Sequence, residues 1–153
     1  MSALPYASAT SGEKALGEMQ KLLRAFGCQR FGSMVDDAEG TLLVQFNYRG
    51  RDVVVKASTK GYAAAWLKAN PWSNRKASTR AQHEAKAMQI AGVAVYSILR
   101  DWIKGQITAI ETGVLSFEGA FLGQILLASG RTVIEHVEQS KMLPPLPALE
   151  NAK

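Results

Sequence analysis

The stretch TLLVQFNYRGRDVVVKA, residues 41–57, decides the fold. Its two segments rich in valine and aromatic side chains, Thr41–Tyr48 and Asp52–Ala57, are typical of β-strands. The break between them, Arg49-Gly50-Arg51, is short, and Gly50 supplies the positive φ angle that a tight turn requires. The stretch therefore predicts an antiparallel β-hairpin.

The residues before this hairpin add one more strand and one helix. Gln29–Val35 is a weaker strand candidate, joined to the hairpin by the turn-forming residues Asp36–Gly40. From Gly12 to Phe26 the apolar residues recur at helical spacing, and Gly27 follows as a helix stop. We therefore expect an N-terminal helix followed by a three-stranded antiparallel sheet.

The residues after the hairpin predict two helices of very different length. Ser58 or Thr59 can cap the first, over about Lys60–Ala69, because Asn70-Pro71 disfavours its continuation. An apolar stripe then predicts a long helix over about Arg80–Thr112. At 1.5 Å per residue that helix would be about 50 Å long.

The C-terminal third is less regular. We expect a helix from Ser116 to about Leu127, whereas Thr132–Val137 fits either a short strand or a helical turn. Residues 1–11 and the proline-rich residues 141–153 are expected to be flexible tails. The whole chain is predicted to form one α+β domain over residues 12–140, with helices on one face of the sheet.

Bulk properties indicate a globular cytoplasmic protein. A chain of 153 residues most often forms one domain with a substantial core. The apolar runs are too short to span a bilayer, and the first residues do not resemble a secretory signal. The single cysteine, Cys28, excludes an internal disulfide and fits a reducing compartment. We expect no membrane association.

The positive charge is concentrated in one quarter of the chain. Residues 48–86 hold nine lysines and arginines against two acids, a net charge of +7, within a chain whose net charge is +5. The remaining residues are therefore slightly acidic. A localised basic excess favours a polyanionic partner, although such runs also occur on solvated helix faces.

These basic residues, with one tryptophan, form the candidate nucleic-acid-binding site. Lysine and arginine neutralise phosphates, and aromatic rings stack on unpaired bases. Trp72 follows Pro71 in a loop where its ring could be exposed, whereas Trp66 lies at helical spacing from Tyr62 and is expected in the core. The candidate residues are Arg49, Arg51, Lys56, Lys60, Lys68, Trp72, Arg75, Lys76 and Arg80.

Catalytic residue types are scarce, and we expect a non-enzymatic protein without metal or cofactor. The chain has two histidines and one cysteine. His83 begins a HEAKA segment, but Ala87 stands where a zinc-protease helix has its second histidine. No phosphate-binding loop or dinucleotide fingerprint is present.

Two resemblances bear on function. The order helix, three strands, helix over residues 12–70 resembles double-stranded RNA binding domains in topology; Lys56 and Lys60 partly match their basic cluster, whereas Asp36–Gly40 is acidic and has no histidine. We therefore do not assign duplex RNA binding. The stretch RDWIKGQITAIETGVLSFEGAFLGQILLASGRTV, residues 100–133, resembles uncharacterised small proteins of proteobacterial phages and prophages. That resemblance implies no residue role.

We therefore predict a nucleic-acid-binding accessory protein of phage type, with DNA favoured over RNA. The alternative is a protein–protein modulator that inhibits a host nuclease or defence complex. A homodimer is a further option, because the long helix exceeds a small sheet and carries small residues that permit close helix approach: Ala91, Gly92, Ala94, Ser97 and Gly105.

Overall fold

The structure, a computed structural model, describes residues 4–148 and confirms the α+β class. An N-terminal helix precedes a three-stranded antiparallel sheet, and helices follow, including a long one. The elements are α1 (Gly12–Phe26), β1 (Gln29–Asp36), β2 (Thr41–Tyr48), β3 (Arg51–Ser58), α2 (Thr59–Ala69), α3 (Arg80–Glu111), α4 (Phe117–Phe121), a 3-10 turn (Leu122–Gln124) and α5 (Val133–Gln139).

The sheet has the strand order β1-β2-β3, and β2 and β3 form the predicted antiparallel hairpin. Tyr48 pairs with Arg51 across a two-residue turn. Both turn residues have positive φ, 50° at Arg49 and 83° at Gly50, as the twist of a tight hairpin requires. Arginine therefore occupies a left-handed position that sequence reasoning assigned to the glycine alone.

One face of the sheet and the long helix form the main core. Phe46 and Val53 are opposite each other on the buried face, and both are fully buried. The C-terminal half of α3 packs on this face, and the ring of Phe121 meets Phe46 edge-on at 5.5 Å. Helix α3 contributes Val95, Leu99, Ile103 and Ile107 to this core, and α1 contributes Met19 and Leu23.

The N-terminal half of α3 has its own cover. Ala63 and Trp66 on α2 pack against Ala87 and Ala91 in a second buried cluster. Helix α2 therefore covers the part of α3 that precedes the main core. Part of the small-residue face expected to meet the sheet or a second copy therefore packs against α2 instead.

Residues 4–11 are packed and do not form the flexible tail expected from the sequence. Leu4 and Ala7 join the second cluster. The hydroxyl of Tyr62 donates to the carbonyl oxygen of Pro5 at 2.6 Å, and that of Tyr6 donates to Asp101 at 2.7 Å. These contacts attach the segment to α2 and α3.

The helix expected over Ser116–Leu127 ends early, because the chain turns to lie beside β3. Helix α4 ends at Phe121, a 3-10 turn follows, and Ile125 forms an antiparallel bridge with Val53. This continuation covers the β3 edge of the sheet.

Helix α5 resolves the ambiguity over residues 132–137. Thr132 and Glu135 form a reciprocal capping box, which satisfies the first free backbone N–H groups of the helix. Residues 141–148 form neither helix nor strand, and residues 149–153 of the proline-rich segment lie outside the described residues. Within residues 4–148, no helix is long and apolar enough to cross a membrane.

Candidate nucleic-acid interface

The candidate residues of the hairpin turn and those next to the start of α3 lie near opposite ends of that helix and do not form one surface. Arg49 and Arg51 line a pocket with Ile110, near the C-terminal end of the helix. Arg75 and Lys76 precede Arg80, which begins it. Because α3 rises 1.5 Å per residue, about 45 Å of helix separates Arg80 from Ile110.

The cations on the hairpin are largely engaged within the protein. The guanidinium of Arg51 forms an ion pair with Glu118 and lowers the pKa of that carboxyl. The guanidinium of Arg49 lies 5.4 Å from the ring centroid of Tyr48. Of these two arginines, Arg49 therefore retains the more available charge for a phosphate.

Lys56 is engaged on the neighbouring strand. Its ammonium lies 2.9 Å from Glu135 and, with hydrogen bonds from Thr132, lowers the pKa of the Glu135 carboxyl. This pair joins β3 to α5. Lys56 is therefore less available for a phosphate.

Lys60 likewise serves the fold. Its ammonium donates to the carbonyl oxygen of Ala38 at 3.2 Å, and its methylene groups lie over Gly40. Gly40 has φ of 65°, and a Cβ there would lie 2.2 Å from Cγ of Lys60. The lysine thus closes the β1–β2 turn against the start of α2.

The remaining candidates belong to one continuous segment that leads into the other end of α3. We call residues 68–86 the basic tip: the end of α2, the connecting linker and the first turns of α3. It contains one acid, Glu84, which lies 3.4 Å from Arg80. The tip therefore carries a net charge of +4, from five exposed cations: Lys68, Arg75, Lys76, Arg80 and Lys86.

A buried histidine anchors the beginning of the linker. His83 is 4% exposed, and its Nε2 lies 2.5 Å from the carbonyl oxygen of Asn70. The ring of Trp66 lies 5.0 Å from the imidazole, and the Asn70 amide donates to the Trp66 carbonyl at 3.0 Å. The end of α2 is thereby attached to the second turn of α3.

Trp72 anchors the middle of the linker. The side chain is half-buried, and its Nε1 donates to the carbonyl oxygen of Ser78 at 2.8 Å. The expectation of an exposed ring available for base stacking therefore needs correction, because the ring closes the loop that presents Arg75 and Lys76.

The first turn of α3 combines a strong cap with an unfavourable charge. Thr79 and Gln82 form a reciprocal capping box, and the turn contains no acid. Arg80 thus lies at the positive end of the helix dipole, where a cation is unfavourable for the helix itself. An external anion near this turn would find a favourable potential.

Lys86 is the cation of the tip that the sequence-based set omitted. Its ammonium lies 6.0 Å from the ring centroid of Trp66. The charge count over residues 48–86 included this lysine, but its position beside α2 depends on the packing of two helices. No local pattern gives that packing.

The described structure also bears on the expectation that the chain holds no metal. Within residues 4–148, no three His, Cys, Asp or Glu side chains are placed to hold a metal ion. Burial raises the pKa of the Cys28 thiol to about 11. The absence of an enzymatic role stays a prediction.

Comparison with known proteins gives no functional precedent. No protein-family model, curated protein or solved structure matches this chain. The residues of the basic tip must therefore be interpreted from their own geometry and charge.

Proposed function

We propose that this chain is a non-enzymatic nucleic-acid-binding protein that contacts phosphates through the basic tip. The observation that carries this proposal is the set of five exposed cations with one acid, on a connection between α2 and α3 that the Trp72–Ser78 hydrogen bond closes. Ordered donors lose less conformational entropy on binding than donors on a flexible loop. The bound surface is the sugar–phosphate backbone of DNA.

The proposed contact is insensitive to base sequence. Phosphate contacts position a protein on nucleic acid but carry no direct sequence information. Trp72 is already hydrogen-bonded to Ser78 and half-buried, so stacking on a base would require the loop to open. Duplex DNA, with its dense phosphates and stacked bases, suits this surface better than a splayed single strand.

Salt dependence tests this proposal. Each neutralised phosphate releases condensed counterions. If all five cations contact phosphates of duplex DNA, the plot of log K against the logarithm of the salt concentration has a slope of about −4.5. Fluorescence anisotropy of labelled duplex and single-stranded DNA at several salt concentrations measures this slope. A slope near zero, or a strong preference for the single strand, would contradict the proposal.

A second candidate function is inhibition of a host nuclease or defence complex, and a specific observation favours it. Trp72, the aromatic residue of the linker, is engaged in closing the loop, so the tip offers cations and no free ring. Such a surface also complements an acidic protein surface. Pulldown from a host lysate, with Arg75→Glu/Lys76→Glu as the matched control, separates the two: an inhibitor retains one host protein after nuclease treatment.

A further inference from the structure

The segment that follows α5 exposes large apolar side chains next to prolines. Met142 is 66% exposed, Leu143 65% and Leu146 93%. Every residue from 141 to 148 is exposed, and none of them lies in a helix or strand. We call residues 141–147, with the sequence KMLPPLP, the proline segment. Large apolar side chains that are exposed together often mark a contact with another molecule.

The end of α5 determines where the proline segment begins. The N–H of Lys141 donates to the carbonyl oxygen of Glu138 at 3.2 Å. The N–H of Met142 donates to the carbonyl oxygen of Val137 at 3.3 Å. Because Lys141 has φ of 51°, these bonds form a Schellman motif, a common way for a helix to end. The proline segment therefore starts at a defined point on the surface.

Proline restricts the backbone of this segment to an extended form. The rings of Pro144, Pro145 and Pro147 hold φ near about −65°. The residue before each proline is excluded from the helical region and favours the polyproline II conformation. All five residues from Leu143 to Pro147 therefore share one preferred backbone conformation, which needs no internal hydrogen bonds. The chain bends at Leu143 and continues without a further turn to residue 148.

The periodicity of polyproline II places the leucines and prolines on adjacent edges. This helix has three residues per turn, so residues three apart lie along the same edge. Leu143 and Leu146 share one edge, and Pro144 and Pro147 share the next. At a rise of about 3.1 Å per residue, two leucine–proline pairs repeat at a spacing of about 9 Å. Pro145 lies on the third edge.

A cation precedes the two leucine–proline pairs. Lys141 is exposed and lies three residues before Pro144, which itself lies three residues before Pro147. A polyproline II helix looks similar from both ends, so two directions of docking are available to it in a groove. A charge at one end selects one of these directions, because only one of them brings the lysine to an acidic group.

We propose that the proline segment is a ligand for a partner domain of the SH3 type. Such a domain binds polyproline II in a groove lined by aromatic rings. The two leucine–proline pairs fill adjacent slots between these rings, and Lys141 pairs with an acidic pocket at the end of the groove. The segment is already close to the bound conformation, so it loses little conformational entropy on binding. The basic tip takes no part, so this proposal is independent of DNA binding.

The backbone of the segment also suits such a groove. Proline has no N–H, so the carbonyl oxygens of the extended segment are acceptors without an intrasegment donor. Tryptophan N–H and tyrosine O–H groups in an aromatic groove can donate to them while the rings cover the apolar side chains. The groove therefore satisfies the polar and the apolar groups of the segment together.

The charge distinguishes this partner from other proline-binding domains. WW and EVH1 domains also hold polyproline II against aromatic side chains. A groove without an acidic pocket gains nothing from Lys141. The interval of three residues between this cation and Pro144, equal to one turn of polyproline II, therefore favours a groove that carries an acidic pocket one turn beyond its aromatic slots.

Nuclear magnetic resonance of isotope-labelled SH3 domains tests the binding. The probes are several isolated SH3 domains that accept ligands with a basic residue before the prolines, each titrated with the full unlabelled chain. We expect shifts in the aromatic groove and the acidic pocket of the probe. Pro144→Ala and Pro147→Ala should each weaken binding on the order of tenfold, because each removes a ring from a slot and loosens the preformed backbone. No shifts with any of these probes would overturn the proposal.

Pro145→Ala is the matched control for these two variants. It also removes one proline, but from the edge that faces away from the groove, and should weaken binding by much less. All three positions are exposed and lie outside helices and strands, so the fold should be unchanged, which circular dichroism confirms. Equal losses at positions 144, 145 and 147 would show that proline content alone governs binding, and would contradict the assigned edges.

Lys141→Asn tests the acidic pocket. Asparagine tolerates a positive φ better than most residues, so the end of α5 is preserved. The variant should bind the SH3 probes several-fold more weakly, whereas Arg75→Glu/Lys76→Glu should bind them as the unmodified chain does. When the acids of the pocket are replaced by amides, the unmodified chain and Lys141→Asn should bind equally. A difference that persists, or tighter binding to WW or EVH1 domains than to the SH3 probes, would overturn the assignment.

Discussion

The indole Nε1 of Trp72 donates a hydrogen bond of 2.8 Å to the carbonyl oxygen of Ser78 and so closes the linker between α2 and α3. Between these two residues the chain presents Arg75 and Lys76. Closure limits the number of conformations that the two cations sample. In the proposed DNA contact, this pre-organisation would lower the entropy lost on binding a phosphate.

Trp72→Phe should loosen this loop with a small effect on the rest of the fold. The variant keeps the apolar ring but removes the N–H donor, which costs about 1 kcal/mol in a typical case. We expect faster amide exchange in residues 73–78, measured by hydrogen–deuterium exchange, and DNA binding weakened a few-fold. Exchange equal to that of the unmodified chain would show that the bond does not order the loop.

Asp101 should give the N-terminal contacts a defined pH dependence. The guanidinium of Arg100, followed by the hydroxyl of Tyr6, lowers the pKa of the Asp101 carboxyl. A carboxyl whose pKa is lower in the folded state stabilises the protein at pH values above its unfolded-state pKa of about 3.9. This contribution is lost as the pH falls through the folded-state pKa.

The variant Asp101→Asn tests this sign. Because the group is largely exposed, we expect the free energy of unfolding to fall by less than about 1 kcal/mol at pH 7. The difference from the unmodified chain should shrink towards pH 3, as measured by urea unfolding at both pH values. A difference that is equal or larger at pH 3 would refute the assignment.

Cys28 should react slowly in the folded protein. Burial raises the pKa of its thiol to about 11, so little thiolate exists at pH 8. Relative to an ordinary thiol, the thiolate fraction falls on the order of a hundredfold. Alkylation followed by mass spectrometry, in buffer and in denaturant, should show this ratio, and equal rates would show that the side chain is freely accessible.

Phe46→Ala should destabilise the protein far more than Met34→Ala. Phe46 is fully buried against Phe121, and loss of such a ring typically costs about 3–5 kcal/mol. Met34 is 66% exposed on β1, where truncation in the monomer costs within about 0.5 kcal/mol. Chemical unfolding at a concentration that keeps the chain monomeric measures both, and similar losses would contradict the assigned core.

Duplex length distinguishes contact at the basic tip alone from contact at both ends of α3. The distance of about 45 Å corresponds to about 13 base pairs at 3.4 Å per step. If the tip alone binds, duplexes shorter than about 13 base pairs and longer duplexes should have the same affinity per binding site. A sharp gain in affinity beyond this length would indicate that Arg49 also contacts DNA.

The sequence was sufficient for the fold wherever the deciding pattern was local. The valine and aromatic side chains of Thr41–Tyr48 and the apolar stripe from Arg80 predicted a strand and a helix within a residue or two of those observed. The segment Thr132–Val137 was too short for its hydrophobic periodicity to distinguish a strand from a helix, although Thr132 and Glu135 have the spacing of a capping box. The helix after Ser116 was predicted too long, because the bridge between Ile125 and Val53 joins distant parts of the chain.

The candidate site was predictable in composition but not in arrangement. Charge counting identified the basic region, but it could not identify which cations form ion pairs within the protein. Arg51 and Glu118 are 67 residues apart, and Lys56 and Glu135 are 79 residues apart. Tertiary packing brings Glu118 and Glu135 to the hairpin strands. In the basic tip, by contrast, Glu84 is the one acid.

The most direct test of the central claim is a charge reversal at the basic tip with a matched reversal elsewhere. Arg75→Glu/Lys76→Glu and the control Lys21→Glu/Arg24→Glu on α1 change the net charge equally, and all four side chains are exposed. Binding of labelled duplex DNA should weaken more than tenfold for the first variant and by much less for the second. Equal losses of affinity in both variants would show that binding depends on net charge alone. Unchanged binding of the first variant would contradict a nucleic-acid contact at the basic tip.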